Sequence, residues 1–348
     1  MSQYGQPNHT QGHPVAIEAD PPALPTLAVV PWRGVIMFVI LACALAWLVA
    51  LPLWLGGTGL RSPLTGLLLP VMMFTPLVSV LMVVFFVQKP RPRPLPAYLG
   101  IWPLRPLKRT IWMCVFAIFG SALIVIAGVF LAAAFGLVHL DLTHFSGFAV
   151  TLQAAIIHAG VKVGPLPTGL IVLVQLLLIP FAALINGFVT IGEELGWRGY
   201  LLPSLRPLGT CPALLISGAV WGFWHSPIIL LGYNFNQPNL FGVAMMMGGC
   251  VLYGVLLGWL RLRTASVWPS VFAHGAFNAT AGFLALVIAA NTSANPVATG
   301  PLGWATWIVM AGVIIVLLAN RQFSVQPRLQ RRPPRAAVLR QTTSGQPG

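Results

Sequence analysis

The sequence predicts an all-α, polytopic membrane protein of about eight transmembrane helices, and three observations carry that prediction. Hydrophobic residues make up 57% of the 348 positions and charged residues 7%, against roughly 25% charged in an ordinary soluble domain. Apolar runs repeatedly exceed the ~20 residues that cross a bilayer. Those runs are continuously apolar rather than alternating, which excludes a transmembrane barrel.

Residues 1–31 are polar and Pro-rich, hold Glu18 and Asp20, and read as a disordered tail. The first apolar run, Gly34–Leu55, starts late, follows no basic cluster and is long enough to span, so it is not read as a cleavable signal peptide. Leu64–Gln88 is the second span. The basic loop after it carries Lys89-Pro90-Arg91-Pro92-Arg93-Pro94, whose alternating prolines favour a stiff, extended connection. Thr110–Phe135 is the third span, and the half-apolar stretch Phe148–Val163 fits the outer interface. Leu170–Leu202 exceeds a bilayer thickness and must tilt or project. Pro212–Leu231, Phe241–Leu260, Ser266–Ala290 and Gly303–Asn320 complete the set, and residues 321–348 form a second, Arg-rich disordered tail. The expected organisation is helices 1–3 with their loops over 32–169, a core over 170–290, a last helix within 291–320, and the two tails.

The net charge of +14 could suggest nucleic acid, but its distribution points elsewhere. Lys89, Arg91, Arg93, Arg105, Lys108 and Arg109 lie between spans two and three, Arg206 after span four, and Arg261 and Arg263 after span six. Arg321, Arg328, Arg331, Arg332, Arg335 and Arg340 lie in the tail. Eight spans put all of these on one side, leaving Arg61 and Lys162 on the other. The positive-inside rule then makes both termini cytoplasmic in a prokaryotic plasma or inner membrane. The basic loops also suit anionic lipid headgroups, and no nucleic-acid partner is expected.

Only five acids occur in the chain, and two adjoin in Gly192-Glu193-Glu194-Leu195-Gly196-Trp197-Arg198, at the end of an apolar segment. A charge there costs at least about 2.5 to 3.5 kcal/mol and implies a role. At 100° per residue Glu194 and Arg198 share a helix face while Glu193 points elsewhere, so Glu194 is expected to pair with Arg198 and Glu193 to face a cavity. His225 follows Trp221-Gly222-Phe223-Trp224, and Pro227 loosens the helix beside it by withholding an N–H from the Phe223 carbonyl. His274 and Asn278, four apart, share a face. Gly222 and Gly275 would let neighbouring helices come close. Together these supply a base, two imidazoles and an amide donor, which is enough to hydrolyse an amide.

Glu193-Glu194-xxx-Arg198, Trp221-xxx-His225 and His274-xxx-Asn278 resemble the three-motif signature of the CPBP (Abi, CAAX amino-terminal) family of intramembrane proteases, which includes the type II CAAX prenyl endopeptidases. The resemblance covers about residues 170–290, and Trp221 departs from the usual phenylalanine. It implies a catalytic cavity open to the cytosol, with Glu193, His225, His274 and Asn278 as catalytic residues and Glu194 and Arg198 in support. Helix geometry puts Glu193 about 15 Å and His274 about 12 Å from the cytoplasmic ends of their helices, with His225 deeper, at about 20 Å.

The expected substrate is a membrane-associated protein or peptide, of CAAX type or another. Glu193 and His225 would polarise water while His274 and Asn278 donate to the oxyanion. No cofactor is favoured, because His-Glu-xx-His does not occur. A zinc-dependent version would use Glu193, His225 and His274 as ligands. The alternative is a non-catalytic scaffold, immunity-type protein or transporter that uses the Glu-Glu-Arg network for gating or docking, although a transporter would more often show internal repeats. Cys43, Cys114, Cys211 and Cys250 are isolated and read as small buried hydrophobes. His139, Asp141 and His144 read as a solvated loop, and Met245-Met246-Met247 as helix packing.

Overall fold

The computed structural model describes residues 27–88, 94–104, 106–160 and 167–323. The N-terminal tail before residue 27, Lys89, Arg91, Arg93, Arg105, Lys162 and the tail from 324 lie outside the described residues. Within them the chain is helical, with no strand beyond an isolated bridge between Leu140 and Ile288.

The elements are α1 (Trp32–Leu55), α2 (Thr65–Met73), α3 (Thr75–Met82), α4 (Leu95–Leu99), α5 (Leu107–Ala134), α6 (Ser146–His158), α7 (Thr168–Glu194), α8 (Leu202–Leu205), α9 (Thr210–Trp224), α10 (Ser226–Ile229), α11 (Leu240–Thr264), α12 (Trp268–Thr280), α13 (Phe283–Val287), α14 (Pro296–Thr299) and α15 (Trp304–Ala319). Two π-helical stretches, Val83–Val87 and Leu195–Leu201, continue α3 and α7. Among the described residues seven helical stretches are long and apolar enough to span a bilayer, and α9, at 15 residues, is a shorter apolar helix in the fifth place. The protein is an integral, multi-pass membrane protein.

Side-chain size sorts the faces of helices that are apolar all round. On α1, Phe38, Ala42, Ala46 and Ala50 recur every four residues and are buried, while Ile36, Ile40, Leu48 and Leu55 face outward. On α5, Ala117, Ser121, Gly128 and Ala132 turn inward and Trp112, Phe116, Phe119 and Leu123 outward. Lipid is as apolar as these large side chains, so close packing of small residues decides which face goes in. The tightest neighbours are α11 on α9, α12 on α7 and α5, and α15 on α5.

The second span, Thr65–Val87, is present as expected and breaks at Phe74, where Pro76 in the first turn of α3 cannot donate to the Met72 carbonyl. Three expectations are corrected. The fifth span does not run on to Leu231: α9 stops at Trp224, the chain turns at His225, and Pro227 opens the short α10. Arg261 is not a loop cation. The sixth span continues to Thr264, and Arg261, 1% exposed, donates from Nε to the Arg198 carbonyl (3.1 Å) and from Nη2 to the Tyr98 carbonyl (2.9 Å). Of the four free cysteines Cys250 is buried, but Cys211 is exposed and Cys43 and Cys114 are half-buried, because lipid is as apolar a surrounding for a thiol as the packed interior.

Outside the spans, α6 buries no residue. The Asp141 carboxylate accepts the amides of Thr143, His144 and Ser146 in the turn that leads into α6. Those bonds, the His144 amide foremost, hold its carboxyl well below the usual range. A loop turn accounts for this acid.

Candidate active site

α7 carries two acids at its last turn, where the helix widens into the π stretch. Such widenings occur often at functional sites because they re-aim side chains. Both acids are buried, Glu193 2% and Glu194 0% exposed. Glu194 Oε1 accepts from Arg198 Nη1 at 2.9 Å, as the helical spacing predicts, and also from His274 Nδ1 at 2.9 Å. Its Oε2 has no hydrogen-bond partner. Glu193 Oε2 accepts from Trp221 Nε1 at 2.6 Å.

The packing that brings these helices together depends on glycine. A Cβ on Gly222 would collide with the Met247 backbone of α11, and one on Gly275 with the Ala183 carbonyl of α7. α9 and α12 therefore deliver His225 and His274 against helices that side chains would hold off. At the end of α9, Trp224 Nε1 donates to Thr75 Oγ1 (3.1 Å) and Trp54 Nε1 to the Pro227 carbonyl (3.0 Å), fixing the turn from both sides.

Glu193, His225, His274 and Asn278 line one cavity of about 390 Å³. Asn278 is exposed into it, whereas Glu194 and Arg198 lie behind the wall and do not line it. The greater depth expected for His225 does not separate it from the others, because the chain turns there instead of climbing further. His225 Nδ1 is 2.9 Å from the Trp221 carbonyl. A carbonyl only accepts, so Nδ1 carries the proton and Nε2 presents a lone pair. His274 Nδ1 faces the Glu194 carboxylate and likewise donates.

Trp221, read from the sequence as an aromatic face, is the hub of the arrangement. Its ring lies 4.2 Å under the Arg198 guanidinium and 5.3 Å from the His274 ring in an edge-on contact. Asn186, Tyr233 and Asn234 also line the cavity and were not singled out in the sequence. Asn186 alone had a signal, since it lies seven residues before Glu193 and so on the same face of α7.

For a metal, the donor types suit zinc: two imidazole nitrogens and a carboxylate oxygen. Their spacing does not, since no three His, Cys, Asp or Glu side chains gather closely enough among the described residues. No catalytic step is therefore routed through a metal.

Comparison with known proteins finds likeness over the same stretch of chain. Residues 169–280 match the family model described as type II CAAX prenyl endopeptidase Rce1-like. A CAAX prenyl protease 2 of Methanococcus maripaludis is 29% identical over 101 residues, which cover 27% of this chain and 37% of that relative. The matched segment runs from the start of α7 to the end of α12 and holds both acids, both cavity histidines and Asn278. Through that segment the chain is similar to the type II CAAX prenyl endopeptidases of the Rce1-like kind.

Proposed function

We propose that the protein is an intramembrane endopeptidase that hydrolyses a peptide bond of a membrane-associated substrate in the cavity within its helix bundle, without a metal. The observation that carries this reading is that one cavity is lined by a carboxylate, an imidazole lone pair and hydrogen-bond donors together: Glu193, His225, His274 and Asn278.

Glu193 and His225 Nε2 polarise a water, and the oxygen attacks the scissile carbonyl. In this reading His274 carries a proton on each ring nitrogen. His274 then holds Glu194 through Nδ1–H and offers Nε2–H to the developing oxyanion. The Asn278 amide adds a second donor, and each such donor is typically worth about 3 to 4 kcal/mol. The proton taken from water passes to the leaving amine. Met72, Met73, Met246, Phe277 and Leu302 give the cavity apolar walls that suit aliphatic side chains or a prenyl group. The basic loops face the cytoplasm and meet anionic headgroups, with both termini on that side.

The test uses purified protein in detergent with two quenched peptides, one ending in a farnesylated CAAX sequence and one an unmodified apolar segment. Cleavage of either should fall by orders of magnitude in Glu193→Gln at unchanged expression. Strong chelators should leave the rate intact. Stoichiometric zinc, with activity lost on chelation and restored by zinc, would overturn the metal-free step. Normal cleavage by Glu193→Gln would overturn the whole reading in favour of a scaffold or transporter.

A further inference from the structure

The indole N–H of Trp221 is a pure donor, and it is spent on Glu193. The 2.6 Å contact joins two buried side chains, Trp221 3% and Glu193 2% exposed. Hydrogen bonds to a charged partner are shorter and stronger than neutral ones, and burial strengthens them further. No donor among the described residues reaches the other oxygen, Oε1, although Glu193 lines the cavity.

The indole cannot turn away from this contact. Arg198 sits 4.2 Å over its ring and the Tyr253 ring is 6.3 Å away. The His274 ring meets it at 5.3 Å, and its own backbone carbonyl holds His225 Nδ1 at 2.9 Å. One residue thus touches Glu193, His225, His274 and Arg198, the groups that must keep register for a water to sit between base and carbonyl.

We infer that Trp221 is a positioning residue of the reaction: its N–H commits Oε2 of Glu193 and leaves Oε1 as the oxygen that takes the water. The inference rests on the hydrolytic reading above. A carboxylate that can rotate offers the water either oxygen at a spread of angles, and misplacement of an ångström costs about 100-fold in favourable cases. Trp221 removes that freedom. The same ring, under Arg198, couples the angle of Glu193 to the Glu194–Arg198 pair behind the wall.

The experiment compares the parent protein, Trp221→Phe, a variant in which the indole at 221 is replaced site-specifically by benzothiophene, and Glu193→Gln. Benzothiophene keeps the shape and π face that Arg198 and His274 meet and lacks the N–H. kcat, KM and melting temperature are measured for each on the same peptide. The expected result for the benzothiophene variant is a fall of about 10- to 100-fold in kcat, the size of a lost hydrogen bond to a charged group. Its KM and melting temperature should match the parent's. Trp221→Phe should show the same fall in kcat. Parental kcat in the benzothiophene variant, with Glu193→Gln inactive, overturns the inference and spares the hydrolytic reading. A loss of kcat accompanied by a lower melting temperature and raised KM in that variant makes Trp221 merely structural and also overturns it. Normal cleavage by Glu193→Gln brings down the hydrolytic reading instead.

Discussion

At the scale of single residues, Glu194 is the pivot on which the site's charges balance. One of its oxygens receives both Arg198 and His274 at 2.9 Å in a place where it is fully buried. Glu194→Gln keeps the shape but removes the charge, leaving a guanidinium uncompensated in a low-dielectric interior. Breaking a buried pair in this way typically costs about 3 to 5 kcal/mol, so this variant should lose melting temperature, with cleavage falling in step. Arg198→Met should share the defect, and combining it with Glu194→Gln should cost little more, because the pair has already gone. Thermal unfolding of the two single variants and the double checks this. Full additivity would mean the two side chains act independently. The expected pattern for Glu193→Gln is the reverse: stability kept and turnover lost.

At the scale of elements, the site is made by helices that stop, bend or crowd where regular helices would not. α7 widens into a π stretch directly after Glu194, and the Arg198 carbonyl in that stretch is held by Arg261 from α11. α9 ends at the turn that carries His225. α12 lies against α7 so closely that Gly275 has no room for a methyl group. Gly275→Ala should therefore push α12 off the α7 backbone. Overpacking of this kind costs about 1 to 3 kcal/mol, and the displacement lengthens the His274–Glu194 contact. The expected outcome is a lower melting temperature with a drop in kcat larger than stability alone explains. Gly312→Ala is the control, since nothing lies within contact distance of a Cβ there. Equal behaviour of the two variants would refute the close-approach argument.

At the scale of the whole molecule, the bundle has its polar groups on its inside and lipid-soluble bulk on its outside. The outward face of α7 shows this directly, with Leu170, Leu177, Phe181, Ile185 and Phe188 all exposed. The proposed orientation is testable from positions within the described structure. Once the four native cysteines are replaced by alanine, Lys108→Cys should react with an impermeant thiol reagent only from the cytoplasmic side, and Thr143→Cys only from outside. Labelling of both from one side would refute the arrangement, because α5 runs the full length between them.

What the sequence determined by itself was what depends on composition and near neighbours. Hydropathy read out the membrane fold, since every backbone polar group in lipid must be satisfied within its own helix. The i, i+4 spacing placed Arg198 on Glu194, and Pro227 marked a loosened helix beside His225 but not the turn there. Tertiary structure decided the rest. His274 reaches Glu194 across 80 positions of chain, and Trp221 reaches Glu193 across 28. Neither pairing has a period that could betray it. Trp221 read as the aromatic of its motif and nothing in the sequence showed its bond to Glu193, because a side chain's hydrogen-bonding partner is chosen by which helices touch. Arg261 read as a membrane-side cation for the same reason: only packing shows that two backbone carbonyls, and not water, receive its guanidinium.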